Sequence, residues 1–355
     1  MCGIIFSIMK KKILPLFFIA AVSLTACGNN YHYADHLSDY VLDIEFGERT
    51  NFKILQLTDF HFSDKDDQDE LYRYVDTLVE DAKKTYGVDF IVVTGDLFTF
   101  ASKWTAKKLF AHMDSYKIKW TVVFGNHDEQ TYFSVDWMTK YLNKLSESDS
   151  SYCMFKDIKQ DDVEGNCNFV IHLNKSGKVK EQLIFMDSNR YHFGTDYNGY
   201  DYFKDPQIGW YKAMVNYSAT LNGEANPAKS LMFYHIPLPE INKITDQEKM
   251  LKDDPNYCFL YGEKREKTCP PDEDLHFFDV IDELNATTGM FFGHDHINDY
   301  EAIYKDVYFC YGLKSTDRIY FDEDMLGYKL IDLKEDSTFE MKRTRISFDG
   351  KEIIH

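Results

Sequence analysis

The chain has 355 residues, 44% hydrophobic and 16% aromatic, enough apolar material for a large packed core, with no repeat and no low-complexity run. Its formal net charge of -19 argues against nucleic acid as the main partner, because gripping a phosphate backbone needs a basic surface. Acidity of this kind keeps an exposed protein soluble.

The chain opens on a targeting segment. Met9-Lys10-Lys11-Lys12 is basic, Ile13 to Val22 is apolar, and Leu24-Thr25-Ala26-Cys27 closes the stretch with small residues before a cysteine. The apolar run is shorter than the roughly 20 residues that span a bilayer. This pattern resembles a bacterial lipoprotein signal. The resemblance implies cleavage before Cys27, a lipid on its thiol, and export to the cell envelope, where the lipid anchors the protein to the membrane surface. Residues 1–27 are therefore read as signal, 28–43 as a polar tether and 44–355 as the folded domain.

Behind the tether, apolar strands alternate with helices. Phe52 to Leu57, Phe90 to Val93 and Trp120 to Phe124 are short aliphatic and aromatic runs, the pattern of buried strands. Between them, 69–86 carries Leu71, Val75, Leu78, Val79 and Ala82 at helical spacing before Gly87, and 101–116 and 136–145 read as further helices. The pattern then changes. Strands over 168–173 and 182–186 flank Asn174-Lys175-Ser176-Gly177, which predicts a hairpin, and helices follow at 205–220 and 277–284. Further strands are expected at 231–233, 290–292, 300–304, 307–311, 328–333 and 339–346. Strand–helix alternation followed by strand-rich segments implies an α/β protein: two stacked mixed sheets with flanking helices, a four-layer α/β/β/α sandwich.

The cysteines after Cys27 are Cys153, Cys167, Cys258, Cys269 and Cys310, so at least one stays unpaired. Export permits short-loop disulfides between Cys153 and Cys167 and between Cys258 and Cys269; a cell living without oxygen leaves all five as thiols. Cys310 lies in a strand and reads as a small buried hydrophobe.

Five strand ends carry metal-capable side chains: Thr58-Asp59-Phe60-His61, Thr94-Gly95-Asp96, Gly125-Asn126-His127-Asp128, Tyr234-His235 and Gly293-His294-Asp295-His296. In α/β sheets reactive groups sit just beyond the carboxyl ends of strands, where a glycine allows a sharp turn. Each fragment alone is an ordinary polar loop; the ordered set is a stronger signal. It resembles the calcineurin-like metallophosphoesterase superfamily, whose pattern runs D-x-H, G-D, G-N-H-D/E, a lone H, then G-H-x-H. All five parts occur in order between Asp59 and His296. The family has the four-layer fold.

The resemblance implies two divalent metal ions, and a donor set of carboxylates, imidazoles and one amide oxygen suits Mn, Fe or Zn. It makes Asp96 the bridge, with Asp59, His61 and His296 completing one metal site and Asn126, His235 and His294 the other. A metal-bound hydroxide then attacks phosphorus, and His127, adjacent to a ligand but not one itself, supplies the proton to the leaving oxygen. Asp128 is a candidate to orient His127. Purple acid phosphatases carry D-x-G and G-D-x-x-Y; here His61 replaces that glycine and Thr99 that tyrosine, so a colourless enzyme is expected. Tyr234 to Glu240, Gly293 to Tyr300 and Cys310-Tyr311-Gly312 resemble the branch related to the fungal phosphatase Dcr2 and the plant purple acid phosphatase-like proteins lacking the tyrosine.

Arg190, Tyr191 and His192 follow a strand end and either line the phosphate pocket or belong to an aromatic-rich surface loop. Lys314 and Arg318 read as solvated cations. The reading is a phosphomonoesterase acting on a small phosphorylated substrate. Its alternatives are a phosphodiesterase of cyclic nucleotides or lipid headgroups, a non-catalytic cell-surface metal-bearing binding protein, and a nuclease, the last opposed by the charge.

Overall fold

The computed structural model describes residues 32–158, 162–194, 198–245 and 257–355. The signal-like segment with Cys27, and the side chain of Cys258, lie outside the described residues.

Chain order gives β1 (Val41–Glu45), β2 (Asn51–Leu57), α1 (Gln68–Thr85), β3 (Phe90–Thr94), α2 (Lys103–Ser115), β4 (Lys119–Val123) and α3 (Val135–Ser146). There follow β5 (Phe169–Lys175), β6 (Lys178–Phe185), β7 (Tyr191–Phe193), β8 (Asn198–Tyr200), α4 (Asp205–Asn222), β9 (Lys229–Phe233), α5 (Glu240–Thr245), β10 (Tyr257–Tyr261) and α6 (Phe277–Leu284). The chain closes with β11 (Thr287–Phe292), β12 (Glu301–Tyr304), β13 (Val307–Tyr311), β14 (Gly327–Lys334), β15 (Phe339–Ile346) and β16 (Ile353–Ile354).

The first three helices start where an oxygen-bearing side chain accepts an otherwise unpaired backbone N–H: Asp67 from Glu70, Ser102 from Thr105 and Ser134 from Trp137. The β5–β6 hairpin turns at Ser176 and Gly177, with φ of 55° and 74°, the left-handed pair whose twist matches the flanking strands.

Two mixed sheets result. The six-stranded sheet runs β16-β15-β14-β2-β3-β4, and the eight-stranded one β1-β5-β6-β9-β11-β13-β12-β10. Helices α1 and α2 pack on the first, α4 on the second. All five residues of β3 are buried, so this strand is covered on both faces. A row of phenylalanines crosses four adjacent strands of the larger sheet: Phe169, Phe185, Phe233 and Phe291, with successive ring centroids 4.7, 5.3 and 5.2 Å apart. Phe90 of the smaller sheet meets Phe185 at 6.4 Å, so the row belongs to the core between the sheets. Each such ring pair contributes about 0.5–1.5 kcal/mol beyond its buried area.

Two expectations are corrected here. Within the stretch read as a tether, 32–43 is folded: Tyr33 and Tyr40 are buried, Tyr40 meets Trp210 edge-on at 5.5 Å, and β1 pairs in parallel with β5. Aromatic anchors outweigh the polar composition. The Cys153–Cys167 disulfide does not form, and both thiols are buried and free. Cys153 is bridged to Trp120, whereas Cys167 Sγ accepts the N–H of Phe124, so the two sit at opposite ends of β4. Four strand residues separate those anchors by roughly 13 Å, beyond the ~7 Å that a disulfide spans between Cα atoms. Cys269 is likewise a free thiol, and Cys310 is buried as expected. Among the described residues no helix is long and apolar enough to cross a membrane.

Glu181 of β6 is fully buried, and neither carboxylate oxygen has a hydrogen-bond partner of good geometry. Burial pushes its carboxyl up to about 8, with Ser337, Lys180 and Lys229 opposing too weakly. A folded-state value above the unfolded one means the fold favours the proton: stability is full near pH 4.5 and falls as pH rises toward 8. The loss is roughly 4 kcal/mol across that window. Urea midpoints at pH 5, 7 and 9 should fall for the wild type, and for Glu181→Gln should lose that part of the slope; parallel profiles would refute the assignment.

Candidate metal centre

The strand ends of both sheets meet at one place. The smaller sheet sends in Asp59 and His61 beyond β2, Asp96 beyond β3, and Asn126 and His127 beyond β4; the larger sends His235 beyond β9 and His294 and His296 beyond β11. Asp59, His61, Asp96 and His294 all have left-handed backbones, with φ of 56°, 52°, 51° and 82°. Each such residue costs on the order of 1 kcal/mol or more and persists only where the surroundings hold it. Here the two loops pair with each other: the N–H of Asp59 donates to Gly95 O at 3.1 Å and that of His61 to Asp96 O at 2.9 Å.

A clamp from the far end of the chain completes the hold. Lys314 Nζ donates to Asp59 O at 2.8 Å, Thr316 Oγ1 to Phe60 O at 2.7 Å, and Ser315 Oγ accepts the N–H of Thr58 at 3.1 Å. Lys314 is therefore no solvated cation; it is buried, and burial lowers its ammonium to about 8. Arg318, by contrast, pairs with Asp66 and Asp317.

All eight predicted residues gather. Donor atoms of Asp59, His61, Asp96 and His296 lie within 4.8 Å of one another, a group able to hold a metal ion. His61 Nε2 and His296 Nε2 face each other at 3.0 Å, and His296 Nε2 is 3.5 Å from Asp59 Oδ1. Asp96 joins the two halves. Its Oδ1 accepts the N–H of His127 at 2.7 Å, leaving Oδ2 at 3.6 Å from His61 Nε2 and 3.2 Å from His235 Nε2.

Ring orientation is fixed from behind. His235 Nδ1 donates to Thr94 O at 2.8 Å and His296 Nδ1 to Tyr320 O at 2.9 Å, while the ring of His294 is hydrogen-bonded to the Cys269 backbone. With Nδ1 of His235 and His296 given to carbonyls, each ring turns its Nε2 inward, where a cation would find a lone pair once it displaces any proton held there. Thr99 Oγ1 sits 2.9 Å from His61 Nδ1, so the residue standing where purple acid phosphatases have tyrosine supports a ligand instead. Asn126 Nδ2 donates to the hydroxyl of Tyr191 at 2.8 Å, which aims Oδ1 at the site.

Burial holds His61 and His296 well below the usual imidazole range and His294 down at about 3. Against its own burial, Asp96 is held well below the carboxylate range by His235, His61 and His127; His235 in turn is raised to about 9 by Asp96. Among the described site residues, Asn126 Oδ1 and His294 Nε2 are buried with no hydrogen-bond partner, and His235 Nε2 has no partner of good geometry beyond its 3.2 Å ion pair with Asp96 Oδ2. Leaving such atoms unmade costs about 1–3 kcal/mol each. Lone pairs left together in this way fit a cation, and the mixed O and N donors suit a divalent one.

A profile of the calcineurin-like phosphoesterase family matches residues 52–298. The chain belongs to this family. Among its relatives, "Probable inactive purple acid phosphatase 29" of Arabidopsis thaliana is 28% identical over 293 residues, 76% of this chain and 73% of that protein. Phosphatase DCR2 of Saccharomyces cerevisiae is 28% identical over 287 residues, 74% of this chain but 47% of its own length. The fold is shared with a dimetal phosphatase from Danio rerio, with TM-score 0.51 and 14% identity over 85% of this chain and 98% of that one. It is shared also with GAP50, the anchor in the inner membrane complex of Plasmodium, with TM-score 0.52 and 14% identity over 86% and 88%.

In this calcineurin-like phosphoesterase, some neighbours differ from expectation. Asp128 does not orient His127; it accepts the N–H groups of Gly125 and Phe98 at 2.8 and 3.0 Å and so caps the turn. Gln130 takes that place, its Oε1 2.8 Å from His127 Nδ1. Arg190 lies 3.5 Å from Asp187 and His192 4.0 Å from Asp201, and it is Tyr191, between them in sequence, that reaches the site. Side chains alternate along a strand, so a strand that turns Tyr191 toward the donors turns His192 away. Tyr320, whose ring stacks on His296 at 4.1 Å, gave no sequence signal because an exposed tyrosine beyond the last motif looks like any other loop residue.

At Gly95, φ is +95° and an added Cβ would stand 2.3 Å from His235 Nδ1. Gly95→Ala should therefore displace His235, destabilising the protein by about 2–4 kcal/mol and lowering bound metal per chain by plasma mass spectrometry. Unchanged melting temperature and metal content would contradict this packing.

Proposed function

We propose that this protein is a metal-dependent phosphomonoesterase acting on small phosphorylated molecules. The supporting observation is the set of unpartnered buried atoms, Asn126 Oδ1, His235 Nε2 and His294 Nε2, beside the cluster of Asp59, His61, Asp96 and His296. One ion would be held by Asp59, His61 and His296 and the other by Asn126, His235 and His294, and Asp96 Oδ2 faces a residue of each group. When bound, two ions such as Mn, Fe or Zn supply Lewis acidity toward phosphoryl oxygens and acidify a water near neutral pH.

The chain's own residues do the rest. Neutral imidazoles and two carboxylates leave a site with two divalent ions net positive, which favours an anionic ester. His127 has its backbone N–H tied to Asp96 Oδ1 and its Nδ1 to Gln130, so ring and backbone are both positioned. With Nδ1–H donated to the amide oxygen, it is the doubly protonated ring that presents a second proton on Nε2, hands it to the leaving oxygen and is left as the neutral Nδ1–H tautomer. Preference for monoesters rests on the likeness to a protein named as a phosphatase, DCR2. Relatives named as inactive purple acid phosphatases bring a second reading, a metal-bearing protein without catalysis. The oriented His127 favours the enzyme.

The signal-like segment supports export and a lipid anchor on Cys27, so Cys27→Ala should move the protein from the membrane to the soluble fraction. Catalysis is tested with an aryl phosphate monoester and the matching diester under Mn, Fe or Zn. We expect faster monoester turnover; a diester preference would redirect the reading to phosphodiesters, and no turnover with metal bound would favour the binding protein. His127→Ala should lower kcat by about 10²- to 10⁴-fold with metal content retained, and Gln130→Leu by about tenfold. Full activity in His127→Ala would remove the role given to that ring.

A further inference from the structure

A cavity of about 260 Å³ opens beside the metal centre, lined by Tyr191, Tyr200, Asn242, Lys267, Thr268 and Cys269 among others. Three of its lining residues, Tyr191, Tyr200 and Cys269, touch Asn126 or His294. Tyr191 accepts a hydrogen bond from Asn126, the ring of Tyr200 meets His294 edge-on with centroids 4.4 Å apart at 87°, and the Cys269 backbone holds His294. A molecule whose phosphate lies on the donors therefore has this cavity next to it.

Two features of the cavity select its occupant. Tyr191 and Tyr200 are cross-strand partners on β7 and β8, their rings stacked 5.6 Å apart and within 28° of parallel, so one side of the cavity is an aromatic stack. The volume is below the ~300–1,000 Å³ of pockets for drug-sized ligands, which suits one ring system. Planar π-systems stack against such rings in offset geometry.

We infer that the cavity receives the organic part of the substrate and that this part carries a planar aromatic ring, supplied by a nucleobase or by a phenol. The inference rests on the phosphoesterase reading above. Stacking discriminates by ring, so its signature is a ratio between matched substrates.

The experiment compares kcat/KM for adenosine 5′-monophosphate against ribose 5-phosphate, and for phosphotyrosine against phosphoserine, in wild type, Tyr200→Leu and Tyr200→Phe. The aromatic-to-plain ratio should drop roughly tenfold in Tyr200→Leu and persist in Tyr200→Phe. The substrate pair whose ratio drops identifies the source of the ring. An unchanged ratio for both pairs overturns the inference while leaving the phosphoesterase reading intact, whereas no turnover of any substrate overturns both. Should Tyr200→Leu fail to fold or lose metal, competitive inhibition of the wild type decides: adenosine or phenol should inhibit at least about tenfold more strongly than ribose, and equal inhibition overturns the inference.

Discussion

One carboxylate oxygen carries the greatest constraint in this molecule. Asp96 Oδ2 stands between His61 of the smaller sheet and His235 of the larger, at 3.6 and 3.2 Å. For one oxygen to face both, the ends of β3 and β9 must approach until no Cβ fits at Gly95. The same closeness recurs at Gly293, where a Cβ would stand 2.0 Å from Thr58 Oγ1. The packing of the two sheets, with its phenylalanine row, is thus also what sets the spacing of the donors.

Around that oxygen, polar groups are buried to a degree that a core tolerates only when each has a partner. Most do. Nδ1 atoms of His235 and His296 are given to carbonyls, Asp128 takes two turn N–H groups, and Lys314 caps the left-handed turn at Asp59. Among the site residues the exceptions are Asn126 Oδ1 and the Nε2 atoms of His235 and His294, the two rings lying 5.2 Å apart. Outer hydrogen bonds that fix the rings while their inner nitrogens stay open are the arrangement of a candidate cation site.

Membership of the calcineurin-like phosphoesterase family accounts for the scaffold, and the groups behind the candidate donors add to it. Gln130 in place of a carboxylate behind His127 keeps the ring's partner neutral, and Thr99 behind His61 supports a ligand rather than contributing one. Strands β7 and β8 bring Tyr191 to Asn126 and Tyr200 to His294.

Much of this was legible in the chain. Helical spacing in 69–86 and the buried runs ending at Leu57, Val93 and Phe124 are local patterns, and they predicted α1, β2, β3 and β4 to within a few residues. The eight site residues were legible because each lies one to four positions beyond a strand, where topology alone brings carboxyl ends together. Other features were decided by contacts between distant segments. Lys314 meets Asp59 across 255 positions, Asn126 takes Tyr191 as partner across 65, and β1 joins a sheet through β5 although its neighbours look like a tether. Composition shows what a side chain is able to do; which partner it meets, and whether Cys153 reaches Cys167, depends on the distances that sheet packing sets between residues far apart in the sequence.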